Sequence, residues 1–531
     1  GVSNLSFIGK EAFSSCRTLD NVALPSSVTG IGAGAFYNCI ALTTFSIADV
    51  DKVTEDNELT VANGTTTTGV FGGCIKLTNV TLPSRLTRIA DYMFNNCSAL
   101  RAIPIPRGVG NDGNNVQGIG KFAFNGCGRL HTVTFASGGT KPLTVDASAF
   151  NNCYELATIN FPSRLSDGLN GTGGTVNVFG SNAFANCYAL ADFNVDDGGE
   201  NYASIDGILY SADKKTLIQC PVGKEGKIGI PNTVTTVKQG AFNKCESITE
   251  VEFATGGTED LTVEDGTSAF NSVFGQCGAI HTVSFPARFV KLGDYTFANC
   301  FKLATVNFEK IDATAKLKTI GRNVFQNTAL TSIVIPASVT SMGQSAFYDS
   351  ELAEITIPGA LVDNFSSIFS DVKFLGTVNI TGDSETGPSL SGGAVLSNDK
   401  TKLLYYPLYN KAQTYRVPAS VTTIAKGAFK NNRYLNKITF ETGSKLKVVE
   451  DDAFYGCASL REITFPETLE SIGANAFSDS FNLKTVDFGA NEKVTTINTY
   501  TFSGCKSLKS ITLPARVSSI ATNAFNASGI E

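Results

Sequence analysis

The chain has 531 residues, 42 Lys and Arg against 48 Asp and Glu, a net charge of −6 and 42% hydrophobic residues. This acidic balance argues against a nucleic-acid groove, which needs a basic face. No apolar run approaches the roughly 18 residues that a membrane-spanning helix requires.

The chain opens inside a repeat at Phe7-Ile8-Gly9. From there the phrase I-G-x-x-A-F-x-x-C-x-x-L-x-x-I-x-L-P-x-x-V recurs about every 23 residues. A fixed period of that length defines a solenoid, in which each copy is one coil stacked on the last. Eighteen anchor phenylalanines mark the copies, from Phe13, Phe36 and Phe71 through Phe502 and Phe525. Stacked coils share one core of any length, so the reading is a single continuous solenoid over residues 1–531.

The first complete coil, Cys16 to Phe36, sets the template. Leu19-Asp20-Asn21-Val22-Ala23-Leu24 has apolar residues at positions 1, 4 and 6, the pattern of a leucine-rich-repeat strand. Pro25 ends that strand because it cannot donate to the ladder. Val28 and Ile31 point a second apolar pair inward, and Gly32 is read as allowing a tight bend. Ala33 to Asn38 is read as one short helical or 3₁₀ turn that seats Ala35 and Phe36 in the core. Three coils have a shortened closing turn, with Thr328, Ser350 and Ser528 in the Cys slot.

Two steps between anchors are long: 58 residues from Phe184 to Phe242 and 60 from Phe369 to Phe429. Each must hold more than one coil or an extra element. In the first, Ser204 to Ser211 and Thr216 to Pro221 flank the polar turn Ala212 to Lys215. In the second, Ser391 to Ser397 and Leu403 to Pro407 flank Asn398 to Lys400. Two β-rich runs around a polar turn are hairpin grammar.

The repeat phrase and both long steps resemble the BspA-type leucine-rich repeats, a family of bacterial and protozoan surface proteins. The likeness covers almost the whole chain. It implies an α/β to mainly β solenoid: a right-handed leucine-rich-repeat superhelix with a parallel sheet on its concave face and short 3₁₀ or helical turns. It also implies two β-hairpin inserts, placed at 196–231 and 381–418. Surface exposure, adhesion to host or neighbouring cells and an extracellular location follow from the resemblance and not from periodicity or composition. No signal peptide is visible and the chain begins at Gly1, so it is read as a processed or engineered fragment.

Twelve of the 13 cysteines lie three residues after an anchor Phe, and Cys220 sits in the first insert. One Cys per coil with almost no His does not match paired metal ligands. Parallel side chains on stacked coils suit a disulfide poorly. The expectation is buried, reduced, small hydrophobes, with no metal and no cofactor.

Strand positions 2, 3 and 5 face away from the core. They are rich in Thr, Ser and Asn, which suit a solvated pleated surface and can hydrogen-bond a partner. His131 and His281 both fall at position 2 and are too far apart in the chain to form one site. Crowded acids at Asp49, Asp51, Glu55, Asp56 and Glu58, and at Asp196, Asp197, Glu200 and Asp206, lack a spaced calcium-loop signature. Tyr405, Tyr406, Tyr409 and Tyr415 cluster in the second insert; they are candidates for partner binding, or for packing the insert onto the solenoid. Near the C-terminus position 2 turns basic at Arg461, Lys484 and Lys509, a candidate stripe for an acidic partner or a mixed solvated face. No nucleophile, base and orienter come together on the strand face, so an enzyme is disfavoured. The reading is a non-enzymatic surface module that binds a protein or glycan, with a structural spacer as the alternative.

Overall fold

The computed structural model describes residues 4–531 apart from 52, 107–116, 137–141, 167–178, 181, 370–371 and 382–388. It is a parallel β-solenoid with almost no helix. The chain divides into two compact units: 1–226 with 233–248, and 227–232 with 249–531. Part of the second insert region, 382–388, lies outside the described residues.

Each repeat contributes two strands because it carries two apolar pairs separated by a proline. The first pair builds the main sheet. In the N-terminal unit, Asn21–Leu24, Thr44–Ile47 and Asn79–Thr81 pair in parallel, with Val22, Phe45 and Val80 in register. Ala102–Ile105, Thr132–Phe135, Thr158–Phe161 and Asp192–Val195 continue the same arrangement. In the C-terminal unit, Thr414–Val417, Lys437–Phe440, Glu462–Thr464 and Thr485–Asp487 form the matching parallel sheet. The second pair builds a narrower ladder of short strands, in which Leu403, Ile424, Val449 and Ile472 lie in register and fully buried.

The corner around Ala-Phe is a run of hydrogen-bonded turns, with its backbone donors divided between two tasks. Ala35, Tyr37 and Cys39 donate to the carbonyl three residues back, while Phe36 and Asn38 donate to Val70 and Gly72 of the next coil. The i−3 bonds are of the expected 3₁₀ type. A continuous helix does not form because the residues two before and two after the anchor adopt positive φ, as at Gly34 and Asn38. Asn fills the second of these positions in Asn38, Asn96, Asn152 and Asn299, because its short amide tolerates the left-handed region. The stacked amides also bond one another: Asn186 Nδ2 donates to Asn152 Oδ1 at 2.8 Å.

Gly32 has a different role from the expected bend. A Cβ there would come within 2.5 Å of the Lys10 backbone nitrogen, so the residue is small because two coils touch backbone to backbone. Gly343 and Gly473 occupy the same kind of contact with Arg322 and Asp451.

The anchor rings stack along each unit. Phe13 on Phe36, Phe94 on Phe124 and Phe429 on Phe454 have centroids 5.2, 5.2 and 4.9 Å apart, near the roughly 4.8 Å separation of neighbouring strands. The cysteines belong to the same device. Cys39 Sγ donates to the Phe13 carbonyl at 3.0 Å, Cys97 to Phe71 at 3.2 Å and Cys457 to Phe429 at 3.1 Å. None of the 13 cysteines is in a disulfide, and all but Cys16 are buried. Cys16 departs from the expectation because it lies on the first coil, whose outer side no other coil of this chain covers. Burial pushes the thiols of Cys74 and Cys127 up to about 12. Ser480 sits in the Cys slot of its coil and donates to Phe454 at 2.9 Å, as a thiol would. Thr328 and Ser350 instead turn back to the anchor of their own coil, at 2.9 and 2.7 Å.

Both long steps contain a three-stranded antiparallel meander. Tyr202–Ile205, Ile208–Ser211 and Thr216–Gln219 form the first. Ser389–Ser391, Ala394–Leu396 and Lys402–Tyr405 form the second. The run Ser204 to Ser211, expected as one strand, is folded on itself at Asp206-Gly207, where both residues have positive φ. Asp-Gly is a strong two-residue hairpin signal. Gly392-Gly393 makes the equivalent turn in the second copy. The last strand of each meander then rejoins the parallel ladder, through Thr236–Val237 and Thr423–Ile424 respectively.

Each meander leads into a coil whose anchor is not Phe. Cys220 N donates to Ala241 O at 2.7 Å and Tyr406 N to Ala428 O at 2.8 Å, the bond that Phe13 N makes to Ala35 O. With these two, the units hold nine and eleven coils, about twenty in all. A further irregularity follows Pro358, where the V-x-x-I-G phrase is missing. A 3₁₀ turn, Gly359–Asn364, and a short α-helix, Phe365–Ile368, replace the second strand there.

Candidate functional site

Period-two alternation on the main strands buries positions 4 and 6 and turns position 5 to solvent. Thr81, Thr134, Asn160, Asn194, Asn307 and Thr464 are exposed there. They form tracks rather than isolated groups. Asn194 Nδ2 donates to Asn160 Oδ1 at 2.8 Å and Asn307 Nδ2 to Ser284 Oγ at 3.2 Å. Each amide in such a track keeps a further donor or acceptor for a partner.

The histidines are exposed and separate. His131 Nδ1 lies 2.9 Å from the Glu155 carbonyl, and His281 Nδ1 lies 3.0 Å from Thr282 Oγ1. Neither has a carboxylate positioned with it by a described hydrogen bond. Among the described residues no group of three or more His, Cys, Asp or Glu side chains is placed to hold a metal ion. In the first acidic corner, Asp49 accepts from the Ser84 amide at 2.9 Å and hydroxyl at 3.0 Å. This carboxylate closes a coil corner. No helix among the described residues is long and apolar enough to cross a membrane.

The four tyrosines of the second insert do not form one patch. Tyr406 and Tyr415 are buried against Phe429, with ring centroids 5.2 and 5.8 Å from it. Tyr406 occupies an anchor slot, so these two rings pack the insert onto the core and offer a partner no surface. Burial raises both hydroxyls, that of Tyr406 to about 12. Tyr405 is half-buried, its ring 5.0 Å from Phe365. Tyr409 is exposed, with edge-to-face contacts to Phe374 at 5.9 Å and Tyr434 at 5.1 Å. Tyr405 and Tyr409 line a cleft of about 650 Å³ together with Phe374, Lys426, Lys430 and Arg433.

Arg461, Lys484 and Lys509 are all exposed on successive coils, and Lys484 N donates to Arg461 O at 2.8 Å. Lys509 pairs with Glu531 at 3.0 Å. Nearby Lys437 pairs with Glu462. Charges of both signs therefore alternate on this face.

Buried arginines were not singled out in the sequence. Arg85 donates to Asn57 O at 3.0 Å and Arg288 to Glu259 O at 3.1 Å. Each follows the strand-ending proline by two residues and ties down an enlarged corner of the preceding coil. Part of the signal was available: P-x-R occurs at Pro83, Pro162 and Pro286, each in the coil after a lengthened step, although it occurs also at Pro514, where Arg516 is exposed.

A parallel two-ladder coil, an L-x-x-I-x-L-P strand and a stacked Phe-Cys corner define a leucine-rich-repeat solenoid. The model of the BspA type leucine rich repeat region matches residues 2–109, 65–204, 224–310, 301–389 and 406–531, and the chain belongs to that family. It is similar to a leucine rich cell surface protein of Faecalibacterium prausnitzii: 25% identity over 71% of this chain and 83% of the other, TM-score 0.38. A leucine-rich repeat protein of Eubacterium ventriosum is 21% identical over 61% of this chain and 93% of its own, TM-score 0.42. One of Bacteroides ovatus is 18% identical over 96% and 84%, TM-score 0.22. No curated protein matches the chain.

Proposed function

We propose that this chain is a non-catalytic binding module of a surface-exposed protein. It engages a protein or glycan of a host or neighbouring cell through the outward face of the main sheet and the insert regions. The observation that carries the reading is the set of exposed Thr, Ser and Asn columns, repeated in register from coil to coil. Their spacing is set by the strands, so little ordering entropy is lost when a partner docks. Family membership and a cell-surface relative support the location. The long runs of stacked anchor rings, such as Phe13 to Phe184 and Phe429 to Phe525, also suit a stiff spacer, and the same experiment separates the two readings. The purified chain is presented to a panel of matrix proteins and immobilised glycans. The module reading expects a saturable binder that is weakened when Asn160 and Asn194 are both changed to Glu. A chain that binds nothing across a broad panel is a spacer.

A further inference from the structure

The cleft beside the second insert has a cause in the chain. In an ordinary coil the second strand runs into G-x-x-A before the anchor, and that segment bonds to the corners on both sides. Ser345 N, for example, donates to Ser367 O, and Gly427 N to Asp451 O. In the insert coil the strand Lys402–Tyr405 meets the anchor slot at Tyr406 directly, and the corner segment is missing. The gap falls between the Gln344 and Ser367 corners on one side and Lys426-Gly427 on the other, and these residues line the cleft.

Its lining is aromatic and cationic. Phe374, 44% exposed, and Tyr409, 38% exposed, present ring surface, with Tyr405 and Tyr434 completing the wall. Tyr409 and Tyr434 meet edge to face at 5.1 Å, and the neighbouring Tyr409 hydroxyl raises that of Tyr434. Lys373, Lys426, Lys430 and Arg433 line the cleft against the single described carboxylate Asp452. Lys373 is paired with Asp349. Among the described residues Lys426, Lys430 and Arg433 have no ion-pair partner; Lys430 lies 5.2 Å over the Tyr455 ring.

The aromatics are not demanded by the insert itself. The first meander has the same backbone pattern, with Gln219, Cys220 and Gly223 where the second has Tyr405, Tyr406 and Tyr409. Tyr406 has the core as its partner. Tyr405 and Tyr409 face the gap.

We propose that this cleft binds an acidic sugar at the end of, or within, a glycan chain, the rings stacking on the pyranose faces while Lys426, Lys430 and Arg433 hold its carboxylate or sulfate. A volume of about 650 Å³ suits a small ligand, within the usual 300–1,000 Å³ of such pockets, rather than the broad face of a protein partner. An anion suits the cleft because Lys426, Lys430 and Arg433 line it with Asp452 as its single described carboxylate, and flat rings with hydroxyl edges suit a polyhydroxylated ligand. The proposal rests on the binding-module reading and names the ligand class for one of its sites.

The test is calorimetric titration of the whole chain with three tetrasaccharides: an oligogalacturonate carrying only carboxylates, a heparin fragment carrying sulfates, and neutral maltotetraose. At least one acidic ligand should bind, and its affinity should fall as salt rises. Lys430→Ala and Tyr409→Ala should each weaken it by about tenfold or more, while Lys10→Ala, at an exposed lysine of the N-terminal unit, leaves it unchanged. The acidic ligand that binds identifies the anion. Both cleft residues are exposed, so their variants keep the fold; should Tyr409→Ala melt early, Lys430→Ala carries the test alone. The proposal is overturned if neither acidic ligand binds, if maltotetraose binds as tightly, or if Lys430→Ala binds like the parent. In those cases a surviving match on the matrix panel still leaves the module reading standing, and the two failures are distinct.

Discussion

Truncating one ring in the middle of a stack tests whether the repeat works as a ladder. Phe454 is fully buried between Phe429 and Phe477, both 4.9 Å away and tilted by only 15° and 14°. Burying a Phe side chain is worth about 1.5–3 kcal/mol, and each aromatic pair adds about 0.5–1.5 kcal/mol beyond area. Two pairs and one burial give about 2.5–6 kcal/mol, in line with the ~3–5 kcal/mol typical of Phe→Ala in a core. Phe525, in the last coil of the same unit, is half-buried and stacks only on Phe502 at 5.5 Å. One pair and partial burial give about 1–3 kcal/mol for Phe525→Ala. Phe454→Leu keeps most of the volume and loses the two ring pairs, at about 1–3 kcal/mol. Urea unfolding followed by far-ultraviolet circular dichroism reads all three variants against the parent. Equal losses for Phe454→Ala and Phe525→Ala, or no loss for Phe454→Leu, would refute the stacked-ladder account.

The thiols give a second prediction. In the folded chain only Cys16 should react promptly with a thiol reagent at mildly alkaline pH, and all 13 should react after denaturation. More than one prompt reaction means that the corners do not close. Burial raises Cys74 and Cys127 from 9.0 to about 12, so the folded state keeps protons that the unfolded state releases. That stabilisation is complete below pH 9 and is lost as pH rises towards 12, at about 1.4 kcal/mol per pH unit for each thiol. Urea midpoints measured from pH 8 upward should fall accordingly, and Cys127→Ala should flatten the slope. Cys457→Ser should cost no more than about 1 kcal/mol, because Ser480 already makes the same bond one coil on; a loss comparable with Phe454→Ala contradicts this. Gly343→Ala should cost about 1–3 kcal/mol by overpacking, since its Cβ would lie 2.3 Å from the Arg322 nitrogen. Unchanged stability there would mean that the coils are spaced more loosely than described.

The sequence by itself determined the coil. A 23-residue phrase that repeats along the whole chain leaves each copy unable to bury its apolar face alone, so stacking follows, and with it the parallel register. The main strands, the second apolar pair and the inward thiols were legible for that reason. The corners were less so, because Ala-Phe reads as a helical turn until the positive φ of residues such as Asn38 and Tyr92 is known. Gly32 was assigned a bend when close approach of two backbones is what excludes a side chain. The tertiary structure alone decided the candidate site. Four tyrosines close in sequence look like one patch, yet Tyr406 and Tyr415 turn into the core while Tyr405 and Tyr409 face a gap. Which side a ring takes depends on which coil lacks its corner and on what lies across the space left behind. Those are contacts between segments some 14 to 40 residues apart along the chain, and local pattern carries no record of them.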